Sequence, residues 1–342
     1  MSEEYDLEEY APWLLIPIVL MGGFLRVLLL DSKGMWLDET FSGWMASHSL
    51  PDLLQWLVKI DQHPPFYYVL LHYWTALFGV TPYDARLLSA LLGAATIPII
   101  YLIGARLSGA VLGLAAAVLL AVSPFHIYFG QETRMYALLT FNAAVAIYAL
   151  ARLLTDARAS QPIGSQVREY LRARRWSSIS TVATDLSWLA LIVFSVATLL
   201  SHNTAVLFPL ATNVFVLGLL LWQRLKRAET TLSLQAPSLG NWGKAQIAIF
   251  LLWSPWLYFF VRQASAVDQR FWIPAPTWDA VVNTLRGNPE CIRAAAGRHG
   301  RGGVASSTGR CFVLGRGAFP ANGWRTWVFL VVLLASSPFW AS

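Results

Sequence analysis

The sequence predicts an all-α polytopic membrane protein, and three observations require it. Hydrophobic residues fill 56% of the 342 positions and charged residues only 13%, with a mean hydropathy of +0.51, too apolar for a domain that covers its core with polar surface. The apolar residues come in runs near the ~20 positions that carry a helix across a bilayer. The connections between those runs alternate sharply in charge.

Seven runs are predicted to cross: residues 11–30, 86–103, 110–129, 135–154, 186–200, 204–222 and 247–261. The opening text, MSEEYDLEEY, is acidic where a secretory signal is basic, so the first run is expected to stay as an anchor. Residues 65–80, PFYYVLLHYWTALFGV, are short for a crossing, and Tyr67, Tyr68, His72 and Trp74 suit the bilayer interface. We read them as a helix lying in or dipping into the outer leaflet. Residues 156–181 carry Arg158, Arg168, Arg172, Arg174 and Arg175, and the segment after Trp222 carries Arg224, Lys226, Arg227 and Lys244. Basic connections belong on the cytoplasmic side. Parity then puts a long first loop, residues 31–85, on the outer side with the loops around residues 130–136 and 201–204 and the segment 262–286. The net charge of +6 is this same bias, so no nucleic-acid partner is expected.

The outer connections gather the chemistry-bearing residues. The first contains the adjacent carboxylates Asp38 and Glu39 in WLDET, then the amphipathic LPDLLQWLVKI, then His63-Pro64-Pro65, and ends at Arg86. Gln131, Glu132, Arg134 and Tyr136 share another, and His202 and Asn203 a third. Each has a plain structural use. Carboxylates favour a helix N-terminus, arginines at a span's end snorkel to headgroups, and polar groups tie helix ends together. Arg26, near the outer end of the first run, is expected to snorkel.

The order of Asp38-Glu39, His63-Pro64-Pro65, ARLLSALLGAATIPIIYLIGARL, SPFHIYFGQETRMYALL, SHNTAVLFPL and RFWIPAPTWDAV resembles the bacterial branch of the protein O-mannosyltransferase and aminoarabinose transferase superfamily. These are polytopic GT-C glycosyltransferases that use polyprenyl-phosphate sugars. The resemblance covers about residues 1–285 and implies a GT-C type bundle whose long first outer loop carries interfacial helices. It also implies inverting transfer from a polyprenyl-phosphate-linked sugar donor to a protein, lipid or glycan acceptor at the outer face of the cytoplasmic membrane. Such a reaction needs one base and cations for the departing phosphate. The resemblance makes Asp38 the base and Glu39 its motif neighbour, with Arg86, Arg134 and His63 near the phosphate. Gln131, Glu132, Tyr136, His202 and Asn203 become candidates for substrate contact. In the aminoarabinose branch an acidic residue and a lysine precede the prolines, where this chain has Gln62 and His63. A neutral histidine holds phosphate less firmly and makes a divalent metal conceivable, with His202 as second ligand, but two histidines in different loops define no metal site and no firm cofactor.

The alternative is a transporter or flippase of lipid-linked sugars, which would bury its charges near the bilayer midplane. A membrane scaffold would have no reason to collect Asp, Glu, His and Arg on one side. From residue 286 the text turns arginine- and glycine-rich, holds both cysteines, Cys291 and Cys311, and has one short apolar run, residues 327–340. The cysteines have no metal-site spacing. The segment reads either as a flexible connection or as a truncated or out-of-frame product.

Overall fold

The computed structural model describes residues 7–59, 63–173, 183–225 and 234–270, and among them every regular element is helical. Residues through Val261 belong to one compact unit. A second unit, residues 262–321, is described only where α12 continues to Arg270. The C-terminal expectations, including both cysteines, and the RFWIPAPTWDAV stretch lie outside the described residues.

The elements are α1 (Leu7–Val27), α2 (Leu37–Ala46), α3 (Leu50–Lys59), α4 (Phe66–Phe78), α5 (Pro82–Ser108), α6 (Ala110–Ala121), α7 (Pro124–Gly130), α8 (Tyr136–Leu154), α9 (Ser165–Ala173), α10 (Ala183–Leu199), α11 (Leu207–Leu225) and α12 (Leu239–Arg270). Short 3-10 turns occupy Ala157–Ser160 and Asn203–Val206. Among the described residues, five helical stretches are long and apolar enough to cross a membrane: Glu9–Val27, Pro82–Ser108, Tyr136–Leu154, Asn203–Leu225 and Leu239–Arg262. The chain is a multi-pass membrane protein. Helix α10 is apolar but has 17 residues. Helix α4, at 13 residues, spans about 20 Å against a ~30 Å hydrocarbon core. It packs Tyr67, Tyr68 and Leu71 against Met45 of α2 and Leu53 and Leu57 of α3. The first loop is therefore a layer of three short helices over the start of α5, which contributes Leu88.

One expected span is broken in the middle. Residues 110–129 form two helices, α6 and α7, bent by 60° at the break. Ser123 and Pro124 cause it. The Ser123 hydroxyl accepts from the His126 N–H to start a new helix, and Pro124 offers no N–H to continue the old one. Helices α5 and α6 meet differently, through a single residue, Gly109, at φ +94°, a backbone that favours glycine. A Cβ on Gly104 would lie 2.7 Å from Gly113 Cα, so the two helices touch backbone to backbone.

One correction concerns Arg26. It does not snorkel; it is fully buried. The break ends the regular ladder at the last carbonyls of α6, where Leu120 O keeps only a 3.3 Å bond from the Ser123 N–H, and the Arg26 guanidinium donates to Leu120 O (3.0 Å), Ala121 O (3.1 Å) and Gly22 O (2.7 Å). It also donates to His126 Nδ1 at 2.8 Å. A side chain on Gly93 would meet Arg26 Nε at 3.0 Å and one on Gly130 its Cγ at 3.3 Å. The arginine lies in a sleeve that glycines leave open.

Candidate active site

The site is built where the end of α1, the loop helix α2, the start of α5 and the α7–α8 connection meet. Gln131 ties the connection to α1, donating from Nε2 to the carbonyls of Leu25 (3.1 Å) and Leu28 (3.0 Å). With Arg26 running the other way, α1 and the α6–α7 pair cap each other's exposed carbonyls.

Glu39 and Arg86 form the centre. Arg86 Nε donates to Glu39 Oε1 at 2.8 Å and Nη2 to Oε2 at 2.6 Å, with the side chains 4% and 1% exposed. The remaining N–H groups of Arg86 go to the carbonyls of Leu30 (2.8 Å), Lys33 (2.8 Å) and Gly34 (3.1 Å). A guanidinium has five N–H groups, and all five are committed within the protein. Glu39 Oε1 also accepts from the Thr133 N–H at 2.8 Å, and Oε2 from the Trp36 N–H at 3.4 Å. Burial alone would raise the Glu39 carboxyl, but the hydrogen bonds from Arg86, Thr133 and Trp36 together hold it below the usual glutamate value. This pair fixes the path from α1 into α2 and pins the α7–α8 connection upon it.

Asp38 is placed differently. As the neighbour of Glu39 on α2 it turns away from the pair, and its side chain is 42% exposed. Arg134, 5% exposed, lies beside it with Nη2 3.6 Å from Asp38 Oδ2. Arg134 Nη1 approaches Ser42 Oγ at 3.4 Å and the Asp38 carbonyl at 3.5 Å. These contacts are longer than those of Arg86. The two arginines that look alike in sequence thus differ, one locked into the scaffold and one at the lip beside a half-exposed carboxylate. Ser42, four residues after Asp38 and so on the same helix face, is a site residue that sequence reading missed.

Glu132 is buried on the same connection. Burial raises its carboxyl first, and the negative charge of Glu39 adds to this; a hydrogen bond with Tyr128 and the charges of Arg134 and Arg86 oppose without reversing it. Lys33 stands 5.9 Å above the Tyr128 ring. Neither Lys33 nor Tyr128 was legible as a site residue, because the contact joins the α1–α2 link to α7.

His63, Tyr136 and His202 gather separately. The His63 and His202 rings are 5.3 Å apart and those of Tyr136 and His202 5.9 Å. His202 starts the Asn203–Val206 turn, its Nδ1 accepting from the Thr204 N–H at 3.1 Å and lying 2.8 Å from the Thr204 hydroxyl. The Phe66 N–H donates to Leu200 O at 3.1 Å, which brings the His63-Pro64-Pro65 segment to the end of α10. Asn203 sits in the same turn. Among the described residues no group of three or more His, Cys, Asp or Glu side chains is arranged to hold a metal ion. Two imidazoles fall short of the three or four protein ligands that such an ion usually takes.

The arrangement can do base chemistry at a half-exposed carboxylate next to a buried guanidinium. No curated protein and no solved structure matches the chain. The dolichyl-phosphate-mannose-protein mannosyltransferase family model matches residues 62–167, a segment that holds His63, Arg86, Gln131, Glu132, Arg134 and Tyr136 but neither Asp38 nor His202. Through that segment, and with its apolar helices, the chain is similar to the mannosyltransferase-like membrane proteins of the GT-C glycosyltransferase class.

Proposed function

We propose that the protein is an inverting glycosyltransferase that moves a sugar from a polyprenyl-phosphate donor to an acceptor hydroxyl, with Asp38 as general base. The observation that carries this reading is the half-exposed Asp38 carboxylate, 3.6 Å from the buried Arg134 guanidinium and mounted on a helix that the Glu39–Arg86 pair immobilises. Asp38 takes the proton of the acceptor hydroxyl as its oxygen bonds to the anomeric carbon. The bond from that carbon to the phosphate oxygen breaks on the opposite face, and the lipid phosphate leaves with the electron pair. Arg134 offsets the charge that grows there, as a preplaced guanidinium does for a developing anion. The phosphate is a good leaving group, so no second carboxylic acid is needed. Glu39 and Arg86 are positioning residues in this scheme.

The orientation we propose keeps the site on the outer face of the cytoplasmic membrane. Helices α5 and α8 carry Arg106 and Arg152 in their last turns, at the ends opposite those that meet α2, and the basic connection 156–181 follows α8 on that opposite side. The acceptor, whether protein, lipid or glycan, would approach Asp38 from water, while the isoprenoid tail follows apolar helix surface. Transport of lipid-linked sugars is the alternative, and buried Arg26 within a span is what favours it. That guanidinium is committed to three carbonyls and His126, which speaks for a fixed part.

Asp38→Asn tests the reading, because it keeps the size of the side chain in the first turn of α2, where Trp36 and not Asp38 is the N-cap, while the proton acceptor is lost. Loss of a general base costs about 10² to 10⁴ in rate. Release of sugar from a polyprenyl-phosphate donor in membranes should fall by that factor at unchanged protein yield, and Arg134→Ala should lower donor use. Parent-like turnover by Asp38→Asn would move the base elsewhere, with Glu132 next in line.

A further inference from the structure

We propose that α9 is a surface helix that binds the anionic phospholipid headgroups of the bilayer the protein spans. Its sequence, SQVREYLRA, is polar on the whole, yet Val167 and Leu171, one turn apart, are 38% and 66% exposed. Arg168 and Arg172, also one turn apart, are exposed beside them. The opposite edge is held, since Gln166 is buried and donates from Nε2 to the Thr184 hydroxyl at 3.1 Å. The exposed sector is thus an apolar stripe bordered by a basic one. Water alone gives no reason to present Leu171, whereas a bilayer surface takes the apolar stripe into its acyl boundary and the guanidinium groups to its phosphates.

The mounting of α9 puts it at such a surface. Asp185, in the first turn of α10, accepts from the N–H groups of Gly164 (2.7 Å) and Val167 (3.0 Å). Thr184 next to it donates to Asp156. Helix α10 is a short apolar helix whose first turn carries Asp185, so the latch holds α9 at the polar end of an apolar helix, where a bilayer surface would lie. The charge fits as well. Arg158 precedes α9 and Arg174 and Arg175 follow it in sequence, while Asp156 and Asp185 are committed to the latch. An excess of arginine with an apolar stripe at a membrane entrance selects an anionic lipid surface.

The test uses the full chain with Cys291 and Cys311 replaced by serine and an environment-sensitive dye on Leu171→Cys. It is placed in nanodiscs of phosphatidylcholine alone or with about one third phosphatidylglycerol. The dye should move to a blue-shifted emission, quenched by a nitroxide-labelled lipid, far more with phosphatidylglycerol, and high salt should reverse the gain. Arg168→Gln with Arg172→Gln should cut the partitioning about 25-fold, at about fivefold per arginine. Equal emission in both lipids, or a gain that salt does not touch, overturns the proposal. Water-like emission throughout would leave α9 to solvent or to an acidic protein, and overturns it too. The salt measurement needs no arginine substitution, so misfolding of a variant cannot imitate it.

Discussion

Glu39 and Arg86, 47 positions apart in sequence, meet in a two-pronged ion pair at 2.8 and 2.6 Å and are almost without exposure. Removing one partner of such a pair leaves a buried charge uncompensated, at about 3–5 kcal/mol. Glu39→Gln should therefore lower the thermal unfolding midpoint in detergent sharply. Arg86→Lys should be no rescue, because an ammonium cannot reproduce the fork that reaches Glu39 and three carbonyls together. Asp38→Asn, at a half-exposed position, should stay within about 0.5 kcal/mol of the parent. An Arg86→Lys chain as stable as the parent would refute this account of the pair.

The acid behaviour of the two glutamates should have opposite signs. The folded Glu39 carboxyl lies below its ordinary value, so its contribution is complete above the unfolded glutamate range and is lost as pH falls through the folded value. Glu132 lies above its ordinary value, so its contribution is present below the unfolded range and is lost as pH rises through the folded value. Unfolding midpoints followed from neutral to acid pH check both. Glu132→Gln should steepen the net loss of stability on acidification, and a shallower loss would contradict the assignment.

The sleeve around Arg26 makes two predictions that share one measurement. Arg26→Met leaves the Ala121 carbonyl without the guanidinium and Leu120 O with only the long Ser123 N–H bond of 3.3 Å, and an unpaired buried polar group costs about 1–3 kcal/mol. Gly93→Ala leaves the arginine but puts a methyl 3.0 Å from its Nε, an overpacking worth about 1–3 kcal/mol. Both should lower the unfolding midpoint. An arginine that snorkelled would tolerate Gly93→Ala.

The side of the membrane is checked with single cysteines in a chain lacking Cys291 and Cys311. Val80, exposed after α4, is a better reporter than Gly79, whose φ of +113° and closeness to the Asp84 carboxylate disfavour any side chain. Val80→Cys should react with an impermeant thiol reagent in intact cells, and Arg158→Cys only after lysis. The reverse pattern would turn the site to the cytoplasm.

The sequence by itself determined the class of protein, an all-α chain with several apolar helices long enough to cross a membrane. Crossing a bilayer is a demand on local composition, and ~20 apolar residues in a row meet it without reference to the rest of the chain. Ser123 and Pro124 carried the break in α6–α7 as a local signal too, although apolarity on both sides masked it. Tertiary structure alone decided what each charge does. Arg86 and Arg134 both stand at the start of a helix after a polar loop, and nothing within a few residues of either tells them apart. Arg86 is locked because Leu30, Lys33, Gly34 and Glu39 converge on it, while Arg134 comes to rest by the exposed Asp38. Arg26 is drawn inward by carbonyls that a helix about 95 positions later leaves open. The fate of an ionised side chain depends on which acceptors surround it in space, and in this chain those acceptors come from helices far apart in sequence.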